Sequence, residues 1–137
     1  MQCIDCTLLY FVFSIRTGDA HLSRDRCILL GLQSIHNAGY GHGDLRWPNV
    51  IVTARDHFVL IDLEGAVKLG TRFDTASQGS MPQAWRSGAV LVKGHYTIQS
   101  DLQQVANMFA HDTSQRVQGL VQRLRTASTA TEVINDI

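Results

Sequence analysis

Asp44, Asn49 and Asp62 are the residues of this sequence whose types and spacing could do chemistry. Asp44 and Asn49 stand five positions apart in GHGDLRWPNV, on either side of the polar turn Leu45-Arg46-Trp47-Pro48. Asp62 closes the apolar run Phe58-Val59-Leu60-Ile61. A carboxylate placed beside a hydroxyl can accept its proton. Asn49 and Asp62 each offer a hard oxygen, and Mg²⁺ takes one or two such protein ligands together with substrate phosphates. The implied chemistry is proton acceptance at Asp44 beside a cation held by Asn49 and Asp62.

Two strands must position them. Val50-Ile51-Val52 is a β-branched run, Arg55-Asp56-His57 a polar break, and Phe58 to Ile61 a second strand candidate. Paired as a hairpin, these strands bring Asn49, before the first, and Asp62, after the second, to the same end.

The arrangement resembles the protein-kinase-like superfamily, whose pattern is H-R-D-x-x-x-x-N, two strands, then D-F-G. Here it stands as His42-Gly43-Asp44, Asn49 and Asp62-Leu63-Glu64. Gly43 replaces the usual Arg, and Arg46 stands where many protein kinases have Lys. His42-Gly43-Asp44 with Asp62-x-Glu64 looks more like the H-G-D and D-x-E of aminoglycoside and choline kinase relatives. HGDLRWPNVIV with LIDLEGA is also similar to divergent kinase-like proteins of fungi and oomycetes. The resemblance implies Mg²⁺-dependent transfer of the ATP γ-phosphate to a hydroxyl. Asp44 would position the nucleophile, Asn49 and Asp62 would bind the metal and nucleotide, and Arg46 could neutralise the transferred phosphate. His42 would prop up the loop.

The flanking segments fit that resemblance. Ser23 could cap a helix to about Asn37, with Ile28, Leu32 and Ile35 on one stripe, widened by Leu29, and Gly39 as a stop signal. It is similar to the long helix before the kinase catalytic loop, and His36 near its end reads as structural. Ala66 to Tyr96 is irregular and rich in Gly, Ser and Thr, like an activation segment. It offers Thr75, Ser77 and Ser80 as phosphosites, and Met81-Pro82-Gln83-Ala84 in place of A-P-E. Ser100 is expected to cap a helix to about Ala110, with Leu102, Val105 and Phe109 inward. Kinases carry an Asp at such a helix start, bonded back to the catalytic loop, and Asp101 resembles it. Gln115 to Thr126 places Val117, Leu120, Val121 and Leu124 on one stripe. Thr129-Ala130-Thr131-Glu132 is a capping box opening a last short helix.

The chain has 137 residues, 45% of them hydrophobic and 18% charged, which suits one globular domain. Twelve Lys and Arg against twelve Asp and Glu leave no basic footprint for nucleic acid. Cys6 to Ile15 is roughly half of the ~20 residues a membrane span needs, so it is expected to be a buried strand, with no membrane partner. The resemblance makes it the last strand before an adenine-binding hinge at Ser14 to Asp19. Cys3 and Cys6 form a lone C-x-x-C and Cys27 stands apart, which favours reduced thiols and an intracellular setting. No G-x-G-x-x-G and no V-A-I-K-type Lys precedes His42.

The expected fold is therefore α+β, mainly α: one partial kinase-like domain over residues 1–137. Residues 1–19 would be strand and hinge, and 20–137 a C-terminal lobe with a small β-hairpin, the N-terminal lobe largely missing. The acceptor could be a protein or a small molecule, as in a small-molecule kinase. A catalytically inactive interaction module or a truncated fragment is the alternative.

Overall fold

The structure is a computed structural model that describes residues 24–53, 57–73 and 90–137. The strand and hinge expected before residue 20, the C-x-x-C, Ser23, and the candidate phosphosites with Met81 to Ala84 lie outside the described residues.

Helix α1 (Arg24–Asn37) forms where the apolar stripe predicts it. Ile28, Leu29, Leu32 and Ile35 are all buried. Strand β1 (Tyr40–Gly41) then leads into His42. A 3-10 turn, Trp47–Asn49, with Pro48 inside it, delivers the chain to β2 (Val50–Thr53). Strand β3 (His57–Leu60) returns antiparallel, with Val50 opposite Leu60 and Val52 opposite Phe58. A second 3-10 turn, Leu63–Gly65, precedes β4 (Val67–Lys68), which pairs antiparallel with β1.

Among the described residues three more helices close the core. They are α2 (Ile98–Phe109), α3 (Gln115–Thr126) and α4 (Ala130–Asn135). Leu102, Val105 and Phe109 of α2 meet Val117, Leu120, Val121 and Leu124 of α3 and the Leu29–Leu32 face of α1. Leu45, from the loop that carries Asp44, is part of this same core. The side chains of Ser114 and Thr129 cap α3 and α4 by accepting from the backbone N–H groups of Val117 and Glu132.

One boundary differs from expectation. α2 begins at Ile98, not after Ser100, with Thr97 as its N-cap in extended conformation. Ser100 sits in the first turn, where its hydroxyl accepts from the Thr97 N–H at 3.0 Å. The same polar side chain thus closes the helix start from inside it.

The fold is mixed α and β and mainly helical, with two small antiparallel sheets among the described residues. Among the described residues no helix is long and apolar enough to cross a membrane.

Candidate active site

Asp44 lies in a loop that has almost no freedom of its own. Its N–H donates to Nδ1 of His42 at 3.3 Å. Its C=O accepts from Nδ2 of Asn49 at 2.8 Å. The same Asn49 amide donates to Asp44 Oδ2 at 2.9 Å, and Arg46 Nε donates to that oxygen at 3.1 Å. Oδ1 of Asp44 is left without a hydrogen bond among the described residues. Sequence spacing therefore brings Asp44, Arg46 and Asn49 into one hydrogen-bonded group.

Asp62 follows the end of the other strand. Ile61 N–H donates to Asn49 C=O at 2.9 Å, which extends the hairpin ladder by one rung beyond Val50 and Leu60. Asn49 and Asp62 therefore sit at the same end of the hairpin, as the pairing argument requires. Asp62 has left-handed backbone dihedrals, φ 65° and ψ 68°, and is exposed. A left-handed non-glycine residue costs about 1–3 kcal/mol unless its surroundings hold it, and Asp and Asn tolerate the conformation best. Glu64, itself exposed, lies in the 3-10 turn that follows.

His42 occupies the centre. It is fully buried. Its Nε2–H donates to Ile61 C=O at 3.0 Å while Nδ1 accepts from Asp44. Those two roles define the neutral ring, one nitrogen donating and one accepting. Burial pushes its pKa below the ordinary value of 6.5, against smaller opposing pulls from Asp101, Asp44 and Asp62. His42 thus ties the Asp44 loop to the strand end that presents Asp62.

Beneath the loop lies Asp101, at 0% exposure. Oδ2 accepts from His36 Nε2 at 2.8 Å and from the His42 N–H at 2.8 Å. Oδ1 accepts from the Gly43 N–H at 3.2 Å and from the Tyr96 hydroxyl. Burial alone would raise the Asp101 pKa, but the bonds from His36, Tyr96 and His42 outweigh it and hold the carboxyl below its usual range. Tyr96 is driven the other way, by its own burial and then by the Asp101 carboxylate, so its hydroxyl remains a donor.

Two glycines make this approach feasible. A Cβ on Gly41 would fall 2.4 Å from Tyr96 Cε1 and 3.2 Å from Asp101 Oδ2. A Gly41→Ala variant is expected to cost about 1–3 kcal/mol in urea unfolding, the price of overpacking a filled site. Gly43 has φ 85°, a left-handed conformation that suits glycine over the Arg of the kinase pattern.

Trp47 packs as a loop anchor. Its ring meets Phe109 edge-on at 5.1 Å, the Arg24 guanidinium lies 4.7 Å from its centroid, and its Nε1–H donates to Met108 C=O at 3.0 Å.

Among the described residues no group of three or more His, Cys, Asp or Glu side chains is placed to hold a metal ion. The Asn49 and Asp62 pair is of a different kind. Both Asn49 N–H donors are used on Asp44, which leaves its amide oxygen as the available ligand atom. The Asp62 carboxylate accepts no hydrogen bond among the described residues. Two hard oxygens at one strand end fit a cation that completes its shell with phosphates and water.

Sequence reasoning singled out Asp101 and His36 as supports but missed Tyr96 and Gln104. Gln104 accepts from the Leu45 N–H and donates to the Gly43 C=O. Neither residue belongs to a periodic or spaced pattern, and a buried Gln reads from sequence as an ordinary helix residue.

No family model and no curated protein matches the chain. Among solved structures it is similar to the kinase PK-1 of Cydia pomonella granulovirus, with 14% identity and a TM-score of 0.53 over 93% of this chain. The match spans 63% of the length of that kinase. At this identity the likeness is one of fold: the chain has a kinase-like fold.

Proposed function

We propose that this chain is a kinase-like phosphotransferase domain that moves the ATP γ-phosphate to a hydroxyl acceptor. The observation that carries the reading is the Asp44 carboxylate. One oxygen is fixed by Asn49 and Arg46 and the other accepts no hydrogen bond among the described residues, on a loop whose peptide groups on either side of Asp44 are bonded. The kinase-like fold supports it.

In this reading Asp44 Oδ1 accepts the acceptor hydroxyl's proton as that oxygen attacks the γ-phosphorus and the bond to the ADP oxygen breaks. Arg46, more than half exposed, can turn its remaining N–H groups to the phosphoryl oxygens. Asn49 and Asp62 would hold Mg²⁺, whose charge offsets that of the phosphates. Such transfer depends on positioning and electrostatics more than on covalent help.

The test is a thermal-shift titration with ATP and Mg²⁺ on wild type and Asp62→Asn. Asparagine accepts the left-handed backbone, so the variant removes charge without adding strain. Wild type is expected to gain stability by mass action, about 2.7 kcal/mol at a hundredfold excess over Kd. Asp62→Asn is expected to lose that gain. No rise in wild type would overturn the reading and favour a non-catalytic interaction module, for which the exposed Ile51 and Val52 of β2 offer an apolar surface.

A further inference from the structure

We propose that Gln104 is the positioning residue that fixes the peptide groups on both sides of Asp44 and so sets the direction of its carboxylate. The proposal rests on the reading of Asp44 as proton acceptor. Gln104 is 6% exposed and lies on the buried face of α2, one turn after Asp101. Its Oε1 accepts from the Leu45 N–H at 3.0 Å and its Nε2 donates to the Gly43 C=O at 3.3 Å. The two bonds straddle Asp44.

The other peptide groups around Asp44 draw on different partners. Asp101 takes the N–H groups of His42 and Gly43. His42 Nδ1 takes the Asp44 N–H, and Asn49 holds the Asp44 C=O. The Gly43 C=O and the Leu45 N–H remain, and Gln104 bonds both. Gly43 brings no side chain to brace this turn, so the peptide before Asp44 needs an outside restraint.

The residue type follows from chemistry. A neutral amide can donate and accept at once, whereas a carboxylate only accepts and an apolar side chain does neither. The amide also adds no charge beside the buried Asp101. The loop needs such a grip because a displacement of about 1 Å at a reacting group can lower turnover about a hundredfold.

The experiment uses the full chain with Gln104→Met, similar in size but unable to make either bond, and Gln104→Glu, which keeps only the acceptor for Leu45. Two readouts are taken. One is amide hydrogen exchange at Leu45 by NMR, referenced to the core amide of Val105. The other is steady-state hydrolysis of Mg²⁺–ATP, with water in place of the acceptor hydroxyl. In Gln104→Met, Leu45 exchange is expected to rise at least tenfold against the reference. Turnover is expected to fall at least tenfold while KM for Mg²⁺–ATP stays within twofold. Gln104→Glu is expected to keep Leu45 protected. Unchanged Leu45 exchange in Gln104→Met, or unchanged turnover with a raised KM, would overturn the proposal. If Gln104→Met does not fold, Gln104→Glu decides: lost turnover at constant KM supports the proposal and wild-type turnover sinks it. A wild type that hydrolyses no Mg²⁺–ATP removes the role given to Asp44, and Leu45 exchange then decides alone whether Gln104 holds the loop.

Discussion

Asp101→Asn is expected to lose about 1–3 kcal/mol of folding stability in urea unfolding at pH 7, the cost of leaving a buried donor without its acceptor. Asp101 accepts four hydrogen bonds, two on each oxygen. Asparagine keeps one acceptor oxygen and puts an NH₂ in place of the other. If the NH₂ takes the Oδ2 position, it faces His36 and the His42 N–H. If it takes the Oδ1 position, it faces the Gly43 N–H and the Tyr96 hydroxyl. The Tyr96 hydroxyl and the His36 ring can turn to accept from the NH₂, but a backbone N–H, that of His42 or of Gly43, loses its acceptor in a site closed to water, at about 1–3 kcal/mol. Domains of this size are held by about 5–15 kcal/mol, so the loss is a large share of the total.

The pH profile carries a separate signature. The Asp101 carboxyl is held below its unfolded value of 3.8, so the unfolded chain binds this proton first as pH falls. That stability is fully present above 3.8 and is lost as pH drops through the lower folded value; Asp101→Asn removes it. His42 acts earlier. Its folded pKa lies below 6.5, so below that pH the unfolded chain takes up a proton the folded ring refuses. Stability should fall below about pH 6.5, by at most about 1.4 kcal/mol per pH unit. Asp101→Asn retains this slope.

Asp44→Ala is expected to act above all on transfer. Removing a proton acceptor in this role costs about 10²–10⁴-fold in rate, read as phosphate released or transferred from Mg²⁺–ATP. The Asn49 amide keeps its bond to the Asp44 C=O but its second N–H loses Asp44 Oδ2, and Arg46 is largely in solvent. The ion pair with an exposed arginine contributes about 0–1 kcal/mol and the unpaired Asn49 N–H about 1–3 kcal/mol, so unfolding should shift by about 1–4 kcal/mol. Retained turnover in a folded Asp44→Ala protein would remove Asp44 from the mechanism.

Much of this was legible in the sequence. The hairpin could be read because β-branched and aromatic runs flank a polar break, and the hairpin alone dictates that Asn49 and Asp62 share an end. The helix stripes were legible because burial repeats with the helical period. The α2 start was misplaced by three residues, because Ser100 and Asp101 look like a cap and first turn when Thr97 is ignored. Tyr96 and Gln104 left no signal. The role of Gln104 depends on backbone atoms of Gly43 and Leu45, 61 and 59 positions earlier in the chain, and no spacing rule reports which peptide group a distant side chain will meet.

That distance has a consequence for how the molecule is made. The bonds from His42 and Leu45 to α2 each close a separation of 59 residues, and that from Gly43 to Gln104 one of 61. The entropy of closing such a loop must be met before any of its contacts forms, and contacts of high sequence separation slow folding. The segment around Asp44 therefore takes its shape late, after α2 has been synthesised and docked on α1. A nascent chain ending short of Gln104 would carry Asp44, Asn49 and Asp62 with their spacing intact and still lack the floor on which they are arranged.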